Sequence, residues 1–257
     1  MKSIISLQAI LLVCLSIFSG FSLAGDRPAV LDWFQRIELS TPVSGIVRQV
    51  HVDVGDQVKK GQTLVTLDDR SFRARITKAK GVLVRATETF AEAEREKVRG
   101  QELFDRSSIS VHDQQLINIE FSKADAQLRE ARAEVVLAKL DLEYSVIRSP
   151  VNGMVVQKFA NNGQTVVSNM QANTLIVVAD NTHMVARAQL EAEVLRGLKA
   201  GDPLSIKASG KTFSGKIARL GQEPSGQSRV PLYFLDVVFE TVHGGFRKGQ
   251  PALIILP

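Results

Sequence analysis

The sequence predicts an α+β protein in which a split β-sandwich is interrupted by a long antiparallel helical hairpin and followed by a small β-barrel. Three observations lead there. Residues 42–58 (PVSGIVRQVHVDVGDQV) and 150–166 (PVNGMVVQKFANNGQTV) are copies of one another at a constant offset of 108 residues. Pro42 maps to Pro150, Gly45 to Gly153, Val47 to Val155, Gly55 to Gly163 and Val58 to Val166. A constant offset leaves no insertion inside the copied strands and turns, so two halves of one small β-module flank whatever lies between them. What lies between them is proline-free and heptad-patterned. After residue 181 the pattern changes again, to short apolar strands broken by Gly and Pro turns.

Within the copies, Gly45 and Gly153 follow a proline by three residues and open strands, whereas Gly55, Gly61 and Gly163 fall at tight turns that tolerate a positive φ. Val50, Val52 and Val54 alternate with His51 and Asp53, the signature of a half-buried strand. The insert carries two helices, from Ser71 to about Phe104 and from Val111 to about Glu143. In the first, Ile76, Leu83, Phe90 and Phe104 share one heptad position, interrupted by Lys97, and Ala79, Ala86, Ala93 and Gly100 share its partner. In the second, Phe121, Leu128, Val135 and Leu142 alternate with Ile117, Ala124, Ala131 and Ala138. Large and small seam residues on both strands predict a left-handed coiled coil with close helix approach. The link Asp105–Ile109 is too short for anything but an antiparallel turn, and Ser110 is placed to N-cap the returning helix with Asp113 supporting it. A coiled-coil pattern reports shape and not partner, so a plain spacer is the alternative reading of the arm. In the last third, MVARAQL, PLSIKAS, FSGKIARL, LYFLDVVFE and ALIILP read as strands of a small barrel.

The composition, 44% hydrophobic and 23% charged over 257 residues, is that of an ordinary globular chain. Residues 1–24 stand apart as an export signal: Lys2, an apolar run from Ile4 to Phe21, and small residues up to Ala24, where cleavage is expected. Retention as an anchor is the alternative, since about eighteen apolar residues are near the minimum that spans a bilayer. The only cysteine, Cys14, lies in that segment, so the mature chain would have no disulfide, thiolate metal site or cysteine nucleophile. Removing Lys2 lowers the net charge from +5 to +4, and the remaining charges alternate in sign along helices, which argues against nucleic acid. Ser209-Gly210-Lys211-Thr212 imitates the end of a phosphate loop, but Ser205 stands where its first glycine belongs and a strand follows. His51, His112, His183 and His243 have no ligand spacing, so no metal, cofactor or catalytic constellation is expected.

The two half-motifs (42–69 and 142–166) with the hairpin between them resemble the split biotinyl/lipoyl-like domain of periplasmic adaptor proteins, the membrane fusion proteins of the HlyD/RND type. The resemblance implies a lipoyl-like sandwich from residues 37–70 and 144–180, a coiled-coil hairpin over 71–143 and a β-barrel over 181–257. It also implies a periplasmic, non-enzymatic subunit linking an inner-membrane transporter (RND or ABC) to a TolC-type outer-membrane channel, with a homo-oligomeric ring; inner-membrane association is an alternative. Arg99, Leu103 and Ser110 match the spacing with which family members dock on such channels. One departure is expected: few residues precede the first half-motif and the chain stops at Pro257, so the family's membrane-proximal domain is not evident. Two other readings stay open. An exported coiled-coil scaffold needs no transporter, and a lipoyl or biotin carrier would need an acceptor lysine where Asp68, Asp69 and Arg70 stand.

Overall fold

The structure, a computed structural model, describes residues 25–168, 173–225, 230–241 and 245–256. The expected leader with Cys14, and His243, lie outside these residues. The described residues divide into two units, one within residues 37–178 and the other within residues 25–36 and 179–256.

The first unit is a sandwich of two four-stranded sheets. One sheet takes the order β6-β5-β3-β8, where β3 is Gly45–Val50, β5 Thr63–Leu67, β6 Val146–Arg148 and β8 Thr165–Val166. The other takes the order β2-β9-β7-β4, where β2 is Arg36–Leu39, β4 Gln57–Val58, β7 Gly153–Lys158 and β9 Ile176–Ala179. Their inner faces share one core that includes Val47, Leu64, Val65, Val155, Ile176 and Val178, each at 1% exposure or less.

The sequence copies build a pseudo-twofold arrangement. Gly45 pairs with Val166 and Ile46 with Thr165, while their counterparts Gly153 and Met154 pair with Val58 and Gln57. Each half therefore completes its sheet with a strand of the other half. The turns repeat the exchange: Gly55 N–H donates to the Val155 carbonyl (2.8 Å) and Gly163 N–H to the Val47 carbonyl (2.8 Å). Val155 and Val47 in turn donate to the carbonyls of Asp56 (3.0 Å) and Gln164 (2.8 Å).

Among the described residues the same clamp occurs five times. Asp53–Asp56, Lys59–Gln62, Asn161–Gln164, Lys199–Asp202 and Arg247–Gln250 each carry Gly third and Asp or Gln fourth. In each the fourth side chain accepts the first residue's N–H, at 2.7–3.1 Å. The glycines hold φ between 81° and 98°, a region that a Cβ disfavours. This turn ends the strand expected to run through Val54: β3 stops at Val50, Val52 stays buried at 7%, and Val54 is 57% exposed on the turn.

The second unit is a closed barrel in the order β1-β10-β13-β12-β11-β14, comprising β1 Asp26–Trp33, β10 His183–Glu191, β11 Pro203–Ala208, β12 Lys211–Leu220, β13 Leu232–Glu240 and β14 Pro251–Ile255. Residues 181–257 alone do not make it, contrary to the sequence expectation. Strand β1 closes it by pairing with both β10 and β14, which satisfies backbone groups that would otherwise be left on two open edges. Its alternating Ala29 and Leu31 enter the core, but Pro28 masked the pattern. Ser209-Gly210, both at positive φ, form the two-residue hairpin between β11 and β12 and hold no phosphate loop geometry.

The clamp makes a contrast in glycine replacements. Gly163→Ala, forced to φ +81°, should lower stability by about 1–2 kcal/mol. Gly81→Ala, in a helix with open space around it, should raise it by about 0.5–1 kcal/mol. Urea unfolding midpoints of the two variants, moving in opposite directions, are the check.

Candidate functional site at the hairpin tip

Between β5 and β6 the chain makes helix α1 (Arg70–Asp105) and helix α2 (Val111–Tyr144). Thirty-six and 34 residues give lengths of roughly 54 and 51 Å. The base is fixed because β5, which leads into α1, pairs with β6, which receives α2. Phe72 at 2% exposure plugs the start of α1 into the sandwich core, and the Thr41 hydroxyl donates to the Tyr144 carbonyl (2.8 Å), capping the end of α2.

The seam follows the heptad. Ala79, Ala86, Ala124, Leu128, Ala131, Val135 and Ala138 are all buried at 9% or less. Each large seam side chain contributes about 1.5–3 kcal/mol, against about 0.3–0.5 for an exposed helical ion pair, so the seam and not the pairs such as Lys123–Glu120 holds the hairpin. Lys97, which interrupts the repeat, does not leave a gap. Its ammonium lies 3.9 Å from the centroid of the Phe121 ring, whose other neighbour is Phe90 at 5.4 Å. Gly100 permits close approach near the tip, since a Cβ there would come within 2.5 Å of Ile117 Cδ1.

The turn itself is a Schellman motif. Ser107 N–H donates to the Phe104 carbonyl and Ser108 N–H to the Leu103 carbonyl, both at 2.8 Å. The position usually given to glycine is held by Ser107 at φ +56°. Ser110 then opens α2 with a full capping box: its hydroxyl accepts the Asp113 N–H (3.1 Å), and the Asp113 carboxylate accepts the Ser110 N–H (3.2 Å) and O–H (2.6 Å). These bonds, the Ser110 hydroxyl first, hold the Asp113 carboxyl below its ordinary value, with His112 adding to the effect.

Arg99 and Leu103 lie one helical turn apart on α1, on one face. Arg99 is exposed and paired only with Glu96, and Leu103 is 37% exposed. Ser110 is at the start of α2, its hydroxyl committed to the cap. The tip also carries exposed apolar side chains that the spacing did not single out, Val98 (57%), Val111 (58%), Leu116 (47%) and Ile119 (49%). Their signal was present in the sequence as apolar residues off the seam. Gly45 and Gly153 open β3 and β7, and Gly55, Gly61 and Gly163 occupy clamp turns in the sandwich. Lys59 and Lys60 belong to such a turn, the Lys60 N–H donating to Asn152 Oδ1 (2.9 Å), while Asp68 and Asp69 at the start of the arm are paired with Arg70 and Arg73. The histidines are dispersed: His51 meets Thr66 (3.3 Å), His112 is in the first turn of α2, and His183 meets Thr182 (2.8 Å). Among the described residues no group of three or more His, Cys, Asp or Glu is placed to hold a metal, and no helix is long and apolar enough to cross a membrane.

Two outcomes follow from the turn. Ser107→Gly should stabilise the hairpin by roughly 0.5–1 kcal/mol, read as a higher thermal midpoint of the helical circular dichroism signal. Because the folded-state value of Asp113 is depressed, its contribution is complete above its unfolded value of about 3.9 and fades as pH falls through the folded one. Asp113→Asn should therefore flatten the loss of midpoint as pH falls below about 4; an unchanged slope contradicts the capping role.

The chain is similar to known proteins along most of its length. It is 31% identical over 210 residues to the macrolide export protein MacA of Yersinia pestis, covering 73% of this chain and 55% of that one. It is 30% identical over 188 residues to the multidrug resistance protein MdtA of Pantoea ananatis, covering 71% and 45%. The chain thus spans about half the length of these curated relatives. Its fold matches a crystal structure of a MacA–MexA chimera bearing the α-hairpin domain of Pseudomonas aeruginosa MexA, with a TM-score of 0.70 at 24% identity over 90% of this chain and 77% of that one. The family described as RND MFP, barrel-sandwich hybrid domain, matches residues 35–179, and with the sandwich, hairpin and barrel in place the chain belongs to the RND-type membrane fusion proteins.

Proposed function

We propose that the chain is a non-enzymatic periplasmic adaptor in an export assembly, exported by its residues 1–24 and joining an inner-membrane transporter to a TolC-type outer-membrane channel. The observation that carries this reading is the arm. A rigid hairpin of roughly 50 Å is fixed at its base by strand pairing and core packing, and it presents an ordered, capped tip with exposed apolar and cationic side chains. Such a shape transmits position over distance. The names of the relatives, an export protein and a multidrug resistance protein, support the same reading. In it the sandwich and barrel assemble side by side with other copies as a ring. Arg99 and Leu103 touch the channel, while Ser110 keeps the turn in shape through its cap.

A photoreactive residue in place of exposed Ser108, used in living cells, tests the docking. Ser108 is the better position than Ser107, whose positive φ restricts what can be placed there. Capture of an outer-membrane channel, reduced at least about tenfold by Leu103→Ala or Arg99→Ala, is expected if these side chains anchor the contact. Capture of other copies of the chain alone would favour an exported scaffold that needs no transporter.

A further inference from the structure

Helix α2 carries a second heptad row that its own hairpin leaves uncovered. Away from the stripe buried against α1, Leu116, Ile119, Ala126, Ala133, Leu137 and Leu140 follow the alternation of three and four residues, with only Lys123 and Glu130 breaking the row. Leu116, Ile119 and Leu137 are 47%, 49% and 56% exposed, and a shallow groove runs beside Ile119, Lys123 and Ala126. Helix α1 has an outer row of its own: Thr77, Val84, Ala91 and Val98 recur every seven residues, with Val84 62% and Val98 57% exposed. The Thr77 hydroxyl is spent on the Arg73 carbonyl of the same helix (3.1 Å). Apolar residues at this period bury themselves only against another helix.

The two rows are in register. Gly100 faces Ile117 across the hairpin's own seam, Ala86 shares a buried cluster with Ala131 and Ala79 with Ala138, which fixes the residues of α1 and α2 that lie at one height. Two residues toward the base from Gly100 and from Ile117 stand Val98 and Ile119. The same count sets Ala91 level with Ala126, Val84 with Ala133 and Thr77 with Leu140. Of the two charges that break the α2 row, Glu130 is level with Thr87 and Lys123 is level with Glu94 of α1. The neighbouring Arg95 and Arg99 pair with Glu92 and Glu96, which leaves exposed Glu94 without an ion pair among the described residues. The Lys123 ammonium, 2.6 Å from Glu120, keeps donors to spare.

We propose that these rows are the two halves of one intermolecular seam: the outer row of α1 on one copy of the chain packs against the outer row of α2 on the next, with the hairpins side by side and their tips pointing the same way. This rests on the side-by-side assembly of copies proposed above and assigns the arm a part in it. In this register the two rows meet at four levels, and Glu94 pairs with Lys123 between two of them, a charged pair that fixes register as flanking charges do in a coiled coil. The contact joins unlike faces, so each copy offers one row to each of two neighbours. The rival arrangement, two α2 helices antiparallel about a twofold axis, sets Lys123 on Glu130 and Ala126 on its own counterpart. It leaves Val84, Val98 and Glu94 uncovered, whereas the proposed seam covers both rows.

Cysteine cross-linking of the purified full chain is the test, with the one native cysteine removed by Cys14→Ser. Val98 and Ile119 lie on the outer sides of their own hairpin, so Val98→Cys with Ile119→Cys can bond only between chains. Mild oxidation of this double variant is expected to give a ladder of multimers. The ladder should form at least about tenfold more slowly with Glu94→Lys or with Lys123→Glu added, and at the original rate with both, at unchanged unfolding midpoints. If the cysteine pair lowers the midpoint, Ala91→Cys with Ala126→Cys, level with each other in the same register, gives the same readout. No ladder, a ladder indifferent to the charge changes, no rescue by the double exchange, or dimers from Ala126→Cys alone each overturns the proposal. Failure here speaks to the seam, whereas loss of channel capture from Ser108 in cells speaks to the adaptor reading.

Discussion

The exchange of backbone hydrogen bonds between the two half-motifs is the constraint on which the rest of this molecule depends. Gly55 with Asp56 and Gly163 with Gln164 each donate to and accept from one valine of the opposite half, Val155 or Val47. Neither half can complete a sheet alone, because each needs a strand and a turn of the other. Folding the sandwich therefore brings together segments 108 residues apart in sequence, and the insert between them has no choice but to leave and return at one place. The loop-closure cost of that separation rises only logarithmically with length, so a hairpin of this size is compatible with a small sandwich.

Once the base is fixed, the arm needs little more than its seam. Strand β5 runs into α1, α2 runs into β6, and β5 pairs with β6, so the two helices start side by side in register. Alanines at every second seam position let the backbones approach, and the Phe90–Phe121 contact with Lys97 laid over it fills the one place where the apolar repeat fails. At the far end the chain reverses in a tight, fully bonded turn, so the exposed tip is as well defined as the base. A connector whose ends are both rigid can set a distance between two other bodies, and this is the physical content of the adaptor reading.

The clamp turn is not confined to the sandwich. Gly201 N–H donates to the Ile217 carbonyl and Gly249 N–H to the Leu31 carbonyl, both at 2.8 Å, so the barrel uses the same four-residue device to lock its own strands. Leu31 sits in β1, which closes the barrel from the opposite end of the sequence. Lys248 of that clamp turn also pairs with Asp32, the residue after Leu31, at 3.0 Å.

The sequence by itself determined the copied half-motifs, the helical insert with its seam, the Ser110 cap and most barrel strands, because each is written in local periodicity or in turn chemistry within a few residues. Lys97 was visible only as an interruption, since a cation over a ring across the seam has no local signature. Only the tertiary structure decided that β1 closes the barrel, that Val54 leaves the strand pattern for a turn, and that the Gly-Asp and Gly-Gln turns dock on strands outside themselves, all but the one at Gly201 on partners far away in the chain. The physical reason is the same in each case: a backbone N–H or an open barrel edge does not encode its partner in its own sequence, and the choice is made by which distant strand is left with unpaired groups when the core closes.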